Sequence, residues 1–169
     1  MPNCIFIPTP PTTIAAIINT MDIVNKTVYE PGCGDGDFLK ACLMANAARV
    51  IGSEPDARLN CHKLNVLPNC TVYCEKHEEI PEWSLKQIDY VYCYLMHGMM
   101  EPIITSLIPN NKKFTLISLN YPIPFWKDDV LSLEPSIRIR HKEGVYPPYA
   151  LIYKYNVENG KVVNQMSIK

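Results

Sequence analysis

The feature that most constrains the fold is a glycine-rich segment at residues 28–36, with the sequence VYEPGCGDG. Glu30 ends one apolar run and a second acid, Glu54, ends the next. Glycines stand between them at Gly32, Gly34 and Gly36. Glycine allows positive φ and lets a ligand approach the backbone closely. An acid after the second strand of an α/β unit is placed to hold ribose hydroxyls. The segment therefore predicts a pocket for a nucleoside-bearing cofactor.

Apolar runs alternate with helical patterns over the first two thirds of the chain, after an N-terminal helix that Thr12 and Thr13 cap. Strands are predicted at 26–30, 49–54, 70–74, 88–94 and 113–119, with helices from Asp37, over 56–64 and over 99–107. The last third is strand-rich, with strands at 137–141 and 149–155 and a returning hairpin at 161–166. We expect an α/β fold: one Rossmann-like, doubly wound domain over 1–169, with a mostly parallel seven-stranded sheet and an antiparallel C-terminal edge.

Charge and composition limit the partners. The net charge is −1, so no global field favours nucleic acid or an anionic membrane. No signal peptide is recognisable, because prolines interrupt the short apolar run at residues 5–7, and no run is long enough for a membrane span. We therefore expect an intracellular, cytoplasmic location, in which the cysteines are reduced thiols. We also expect a monomer or a small homo-oligomer.

The cysteines and histidines could suggest zinc. Cys70, Cys74 and His77 are spaced Cys-x3-Cys-x2-His, with Cys61 and His62 nearby. This spacing is irregular, and two of the cysteines lie on a predicted strand rather than on a loop of the kind that holds structural zinc. We predict no metal site.

The acid in front of the glycines selects among cofactors. A carboxylate at Glu30 would repel a pyrophosphate at the helix N-terminus. The glycine spacing is G-x-G-x-G rather than the dinucleotide pattern G-x-G-x-x-G. S-adenosylmethionine carries a sulfonium and an ammonium group and no phosphate. The segment therefore favours S-adenosylmethionine over NAD.

Residues 30–36 resemble motif I of class I S-adenosylmethionine-dependent methyltransferases, with Glu54 where that family places its ribose-binding acid. Within this class, the chain resembles the small seven-strand protein lysine methyltransferases, both the archaeal broad-specificity enzymes and the type that methylates the ATP synthase c subunit. Residues 6–10 resemble their "V-P-T-P" entry, and residues 28–38 their "V-Y-D-L-G-S-G-D-G" loop. Residues 89–100 resemble their fourth strand and the following helix, and residues 118–126 their "S-x-x-F-P-x-P-x-W" exit from strand five.

The resemblance implies an S-adenosylmethionine-dependent methyltransferase that acts on nitrogen, with a protein lysine as acceptor. Glu75 stands where the family has an adenine-contacting Asp, and His97-Gly98 replaces Leu-Pro after strand four. The implied cofactor contacts are Phe6, Thr9, Glu30, Gly32, Gly34, Gly36, Glu54, Glu75 and Tyr94. Substrate-side candidates follow strands four and five: Tyr94, His97, Asn120, Tyr121 and Trp126. Their aromatic rings suit an aliphatic ammonium group, and no single catalytic base is assigned.

Two alternatives stay open. Adenine methyltransferases of nucleic acids share motif I but carry Asn/Asp-Pro-Pro-aromatic after strand four, where this chain has residues 94–97, YLMH. A cofactor-binding subunit without activity of its own is the second alternative, because no substrate domain accompanies the predicted fold.

Overall fold

A computed structural model of the chain describes residues 6–123, 136–140 and 149–165. Three α-helices lie in this part: α1 (Pro11–Asn19), α2 (Asp37–Met44) and α3 (His97–Leu107). The strands are β1 (Thr27–Pro31), β2 (Arg49–Ser53), β3 (Cys70–Tyr73), β4 (Tyr90–Cys93), β5 (Lys113–Leu119), β6 (Ile137–Arg140), β7 (Tyr149–Glu158) and β8 (Lys161–Gln165). Short 3-10 helices include Cys61–Val66, His77–Glu79, Glu82–Leu85 and Ile108–Asn110. None of the helices in the described ranges is long and apolar enough to cross a membrane.

The strands form one sheet in the order β3-β2-β1-β4-β5-β7-β6, with β8 paired to β7. The pairings from β3 to β5 are parallel, and those of β7 with β5, β6 and β8 are antiparallel. The predicted α/β fold, with a mostly parallel sheet and an antiparallel edge, is confirmed. The described part has eight strands rather than seven, because the predicted hairpin after Gly160 adds β8, which pairs with β7 with a register shift between Asn156 and Val157.

Side chains alternate between the two faces of the sheet, and both faces are covered. On one face, Val28 and Tyr92 pack with Ile17 of α1 and Phe38 of α2. On the other face, residues that include Tyr29 and Val91 pack with Met100, Ile104 and Leu107 of α3. Burial on both faces explains why the parallel strands are continuous apolar runs in the sequence. The parallel pairing of β1 with β2 and β4 places the carboxyl ends of these strands at one edge, where the loops are free to form a site.

The helix predicted over 56–64 is wrong. A turn lies at residues 57–59, and the 3-10 helix Cys61–Val66 begins within the same stretch. The Asp56 carboxylate accepts the Arg58 backbone N–H at 3.0 Å, and the Asp35 carboxylate accepts the Asn60 N–H at 3.0 Å. Such local side-chain acceptors compete with the helical hydrogen bonds of the backbone. The segment therefore folds as a series of turns against residues 32–36.

Candidate functional site

The loop at residues 32–36, which we call the glycine loop, joins β1 to α2. Its glycines have positive φ: 68° at Gly32, 56° at Gly34 and 80° at Gly36. Only glycine adopts this conformation without a steric penalty. The backbone N–H of Gly32 donates to the Ser53 carbonyl at 2.7 Å, and the Gly36 N–H donates to the Cys33 carbonyl at 2.8 Å. The loop is therefore held against the end of β2.

Apolar side chains from three other segments pack on these glycines. A Cβ atom on Gly32 would lie 2.8 Å from Leu95 Cδ2, and one on Gly34 would lie 2.1 Å from Phe6 Cε2. A Cβ atom on Gly36 would lie 2.2 Å from Leu64 Cδ1. The absence of side chains at the glycines is therefore required both by the backbone conformation and by these close contacts.

Glu30 lies at the end of β1 and is 6% exposed. Within the described part of the chain, its Oε2 atom is buried and has no hydrogen-bond partner. Burial raises the pKa of this carboxyl well above its ordinary value, and the negative charges of Asp37 and Glu54 add to the effect. A buried, unsatisfied carboxylate oxygen is costly unless something pairs with it. Glu30 is therefore suited to a cationic or hydrogen-bond-donating ligand.

Glu54 is also buried, at 8% exposed, but its carboxylate is used. Its Oε2 accepts the Gly34 N–H at 3.0 Å and its Oε1 accepts the Asp56 N–H at 2.9 Å. The side chain thus ties the glycine loop to the turn after β2. Each carboxylate oxygen has a second lone pair, so these contacts leave acceptor capacity for a ligand.

The N-terminal segment reaches the same place. Phe6 packs on Gly34, and the Thr9 hydroxyl is 2.9 Å from the Tyr92 hydroxyl of β4. Tyr92 is fully buried, and its ring lies 4.1 Å from that of Phe38, between centroids. Burial raises the Tyr92 pKa well above its usual value, with the charge of Glu30 contributing. Sequence reasoning missed Tyr92, because one tyrosine in an aromatic-rich strand carries no signal that distinguishes it.

Glu75 and Tyr94 lie at the edges of this arrangement. Glu75 is the second residue after β3 and its side chain is exposed. Tyr94 follows β4 and is half-buried. Both residues are at the carboxyl ends of parallel strands, the same edge of the sheet as Glu30, Glu54 and the glycine loop.

Asn120 has a role that the sequence did not reveal. It has φ of 63°, and its Oδ1 accepts the Leu151 N–H at 3.0 Å. Its backbone N–H donates to the Leu151 carbonyl at 2.7 Å, and its Nδ2 lies 3.5 Å from the Tyr94 hydroxyl, the outer limit of a hydrogen bond. The amide oxygen therefore fixes the end of β5 to β7, and only the Nδ2 group faces Tyr94.

The remaining substrate-side candidates differ in how far the structure describes them. Tyr121 follows Asn120 and is 38% exposed. His97 is the first residue of α3, and its side chain lies outside the described part of the structure. Trp126 lies outside the described residues. In the described ranges, no three Cys, His, Asp or Glu side chains are arranged to hold a metal ion.

No protein-family model and no curated protein matches the sequence. Solved structures with similar folds include an RNA methyltransferase from Salinibacter ruber in complex with S-adenosyl-L-homocysteine, with a TM-score of 0.70 and 15% identity over 95% of this chain and 99% of that chain. A precorrin-6y C5,15-methyltransferase from Geobacter metallireducens GS-15 has a TM-score of 0.66 and 16% identity over 89% of this chain and 90% of that chain. A magnesium protoporphyrin IX methyltransferase from Synechocystis PCC 6803 with bound S-adenosylmethionine has a TM-score of 0.56 and 17% identity over 87% of this chain and 76% of that chain. The chain therefore has the α/β fold that these methyltransferases share.

Proposed function

We propose that the protein is an S-adenosylmethionine-dependent methyltransferase. The observation that carries this proposal is Glu30, a buried carboxylate with an unpaired oxygen beside a glycine loop at the end of β1. The cofactor has an ammonium and a sulfonium group, and either would compensate this oxygen, whereas a pyrophosphate would add repulsion. The fold is that of proteins solved with S-adenosylmethionine or S-adenosylhomocysteine, which supports the same choice.

The residues around the glycine loop form the cofactor half of the proposed site. Glu30 would accept from the cationic part of the cofactor, and the second lone pairs of Glu54 would accept ribose hydroxyls. Gly32 and Gly34 would contact the cofactor through the backbone of the glycine loop, and Phe6, which packs on Gly34, would border it from the N-terminal side. Thr9, Gly36, Glu75 and Tyr94 complete the proposed contacts.

The residues after β4 and β5, Tyr94, Asn120 and Tyr121, form the acceptor half, with His97 and Trp126 as further candidates. Bound cofactor supplies an activated methyl group. The task of the protein is then to position the acceptor in line with that group and to exclude water. A lysine acceptor must also lose its proton, to water or to a group in the pocket. We assign no single base.

We infer a protein lysine as the acceptor. The aromatic side chains of Tyr94 and Tyr121 suit a lysine stem and its ammonium group. The chain has 17 acidic and 16 basic residues, so it lacks the overall positive charge that aids nucleic-acid binding. The segments that resemble protein lysine methyltransferases lie in the same order along the chain.

RNA is the second candidate acceptor. The fold similarity to the Salinibacter ruber RNA methyltransferase extends over 95% of this chain and 99% of that chain. Such similarity at 15% identity shows the fold, and the choice of acceptor depends on the loops after β4 and β5.

The first experiment measures cofactor binding. Isothermal titration of the full chain with S-adenosylhomocysteine should give saturable binding. Glu30→Gln should weaken it by about 10- to 100-fold, the worth of a hydrogen bond to a charged group. Glu101→Gln is the matched control, since Glu101 is an exposed carboxylate in the first half of α3, and it should bind as the wild type does. No binding by the wild type, or equal binding by Glu30→Gln, would contradict the proposal.

The second experiment identifies the acceptor. The chain is incubated with methyl-labelled S-adenosylmethionine and cell extract, and the products are divided and treated with protease or ribonuclease. Label that only protease removes supports the lysine proposal, provided that hydrolysis of the labelled protein yields methylated lysines. Label removed only by ribonuclease supports the RNA alternative. Binding without transfer to either would indicate a cofactor-binding subunit.

A further inference from the structure

Four polar side chains form a continuous hydrogen-bonded chain on the face of the sheet that α3 covers. The Tyr29 hydroxyl of β1 lies 3.0 Å from Ser53 Oγ at the end of β2, and 2.7 Å from Nδ1 of His77 in the 3-10 helix His77–Glu79. His77 Nε2 is hydrogen-bonded to Ser106 Oγ of α3. Tyr29 and Ser53 are buried, His77 is half-buried and Ser106 is exposed. This hydroxyl–imidazole chain therefore joins a buried serine to the protein surface.

The number of available hydrogens fixes the direction of the hydroxyl–imidazole chain. The Ser106 hydroxyl donates its single hydrogen to the Ile103 carbonyl at 2.7 Å, so it accepts from His77 Nε2. A neutral imidazole has one N–H, so Nδ1 is the acceptor and the Tyr29 hydroxyl donates to it. Tyr29 has then used its hydrogen, and its oxygen accepts from the Ser53 hydroxyl. Every donor thus has an acceptor as long as His77 is neutral.

Ser53 is also a residue that holds the glycine loop. Its backbone carbonyl accepts the N–H groups of Gly32 at 2.7 Å and of Cys33 at 3.0 Å. The next residue, Glu54, accepts the Gly34 N–H through its carboxylate. Three successive N–H groups of the loop are therefore bound at the end of β2, and the conformation of Ser53 determines where the loop lies.

Protonation of His77 would break this arrangement. Both ring nitrogens would then donate, and the Tyr29 oxygen would have to accept from Nδ1–H instead of donating to it. The Tyr29 hydrogen would turn to Ser53 Oγ, and the Ser53 hydrogen would lose its acceptor in the interior. A buried donor without an acceptor is costly. Protonation at the half-buried ring would therefore disturb the residue that holds the glycine loop.

The groups that face His77 favour the neutral ring. Burial lowers the pKa of His77, whereas the charge of Glu78 in the same 3-10 helix acts in the opposite direction and is the weaker cause. From β1 the ring faces Tyr29, whose own pKa burial raises, so the phenol keeps its proton. From α3 it faces the uncharged Ser106 hydroxyl. The imidazole therefore titrates below the usual pH range of a histidine.

We propose that Tyr29 and His77 are positioning residues of the cofactor half, which hold Ser53 and the glycine loop in the binding conformation only while His77 is neutral. This inference rests on the proposed function. Neither residue is proposed to touch the cofactor, so the chain acts on affinity through Ser53. Because ligand binding and protonation are linked, S-adenosylhomocysteine should lower the His77 pKa by about half a pH unit, the equivalent of a threefold change in affinity.

Nuclear magnetic resonance of the full chain with isotope-labelled histidine tests the chain directly. At about pH 8, above the ordinary histidine range, the His77 signals should be those of the Nε2–H tautomer, and a His77→Asn spectrum identifies them by their loss. The titration of this ring should move to lower pH when S-adenosylhomocysteine is bound. An Nδ1–H tautomer, or a pKa that the ligand leaves unchanged, would overturn the inference.

Two substitutions of His77 separate positioning from packing. His77→Asn keeps an acceptor near the Nδ1 position and cannot be protonated, whereas His77→Leu removes the acceptor. Relative to His77→Asn, the wild type should lose up to about threefold in affinity for S-adenosylhomocysteine between pH 8 and 5. Both proteins contain Glu30, so its contribution cancels in this ratio. His77→Leu should bind about fivefold more weakly than His77→Asn at the higher pH, the worth of one neutral hydrogen bond.

Tyr90→Phe is the matched control, because it loses a hydroxyl contact on the opposite face of the sheet and should keep the wild-type pH profile. Equal pH profiles of the wild type and His77→Asn, or equal affinities of His77→Asn and His77→Leu, would show that the chain serves only the fold. Failure of the proposed function is distinct from these results. The wild type would then not bind S-adenosylhomocysteine at all, while the spectrum of the free protein would still decide the tautomer.

Discussion

The two halves of the proposed site differ in how their polar groups are used. In the cofactor half, Glu30 is buried with an unpaired oxygen, and Glu54 holds the glycine loop with acceptor capacity to spare. In the acceptor half, the Asn120 amide oxygen is bound to β7, and Tyr121 is exposed. The cofactor half is thus preorganised for a ligand, whereas the described part of the acceptor half is an end of the sheet stabilised by its own contacts. Groups that are already ordered before binding favour high affinity, because little conformational entropy is lost when the ligand binds.

Exchanging a glycine for alanine in each half gives the largest expected contrast. Gly34→Ala combines a φ of 56° with a Cβ atom 2.1 Å from Phe6. It should destabilise the fold by about 2–4 kcal/mol and remove measurable S-adenosylhomocysteine binding. Gly98 in α3 has open space around it, so Gly98→Ala should leave binding unchanged and stabilise the helix by up to about 1 kcal/mol. Urea unfolding and calorimetric titration measure the two effects.

Equal behaviour of these two variants would break the comparison. If Gly34→Ala bound the cofactor as well as Gly98→Ala did, the glycine loop would not be a ligand cradle, and the positive φ angles would serve only the turn into α2.

Asn120 tests the acceptor half. Asn120→Ala removes the hydrogen bond that the Asn120 side chain accepts from the Leu151 N–H. It also places alanine at φ of 63°, where the Cβ atom is strained and no side-chain hydrogen bond compensates. The variant should lose about 2–3 kcal/mol of stability while its affinity for S-adenosylhomocysteine stays unchanged. Asn120→Gly should recover the conformational part of this loss, and Asn120→Asp should recover most of it, because Asp tolerates positive φ and keeps the acceptor.

A different result would change the role of Asn120. If Asn120→Asp restored stability while methyl transfer stayed lost, then the Nδ2 group beside Tyr94 would belong to the acceptor site rather than to the scaffold.

The contrast between the halves also explains what could be predicted from the sequence. The strand predicted over 113–119 has the bounds of β5, because a strand buried on both faces leaves a continuous apolar run. The glycine loop was equally readable, because positive φ selects glycine in the sequence itself. The role of Asn120 was not readable, because its partner Leu151 lies on β7 and the pairing is non-local.

Local competition limited the prediction elsewhere. The helix predicted over 56–64 rested on Pro55 and on Asp56 as a first-turn acid, but Asp56 and Asp35 use their carboxylates on the backbone of the same stretch. The raised pKa of Glu30 is also a property of the fold, since it depends on the burial of the carboxyl and on how Asp37 and Glu54 are placed around it. Sequence patterns therefore located the cofactor half but not its electrostatics.

The raised pKa of Glu30 predicts opposite pH dependences for stability and for cofactor binding. The folded protein keeps the Glu30 proton at pH values where the unfolded chain has lost it. The stability due to Glu30 is therefore present at low pH and decreases as the pH rises through the folded-state pKa, by at most about 1.4 kcal/mol per pH unit. A cationic ligand favours the ionised form, so the affinity for S-adenosylmethionine should increase over the same range.

Glu30→Gln should abolish the pH dependence that Glu30 gives to the free energy of unfolding and to the affinity for S-adenosylmethionine. Urea unfolding and titration calorimetry between about pH 5 and 8 measure these two slopes. Glu101→Gln, with its exposed carboxylate, should keep them. Parallel rather than opposite slopes in the wild type would mean that the cofactor does not pair with Glu30.

The smallest expected effect concerns the N-terminal segment. Tyr92→Phe removes the hydrogen bond to Thr9, which joins this segment to β4 in front of the glycine loop. The affinity for S-adenosylhomocysteine should fall by about two- to fivefold, the worth of one neutral hydrogen bond. Thr9→Val should have the same effect, and the double variant should be no weaker than either single one, because both remove the same interaction.

Tyr90→Phe is the matched control for Tyr92→Phe. Tyr90 is on the same strand and face, and its hydroxyl accepts the Asp22 N–H at 3.1 Å, after the C-terminal end of α1. Tyr90→Phe also loses the weak contact of its hydroxyl with the Asp22 carbonyl at 3.5 Å, so it should lose at least as much stability as Tyr92→Phe. Only Tyr92→Phe should lose cofactor affinity, because only Thr9 lies next to the segment that packs on Gly34. Equal affinities in the two variants would show that the N-terminal segment stabilises the fold without taking part in the cofactor half.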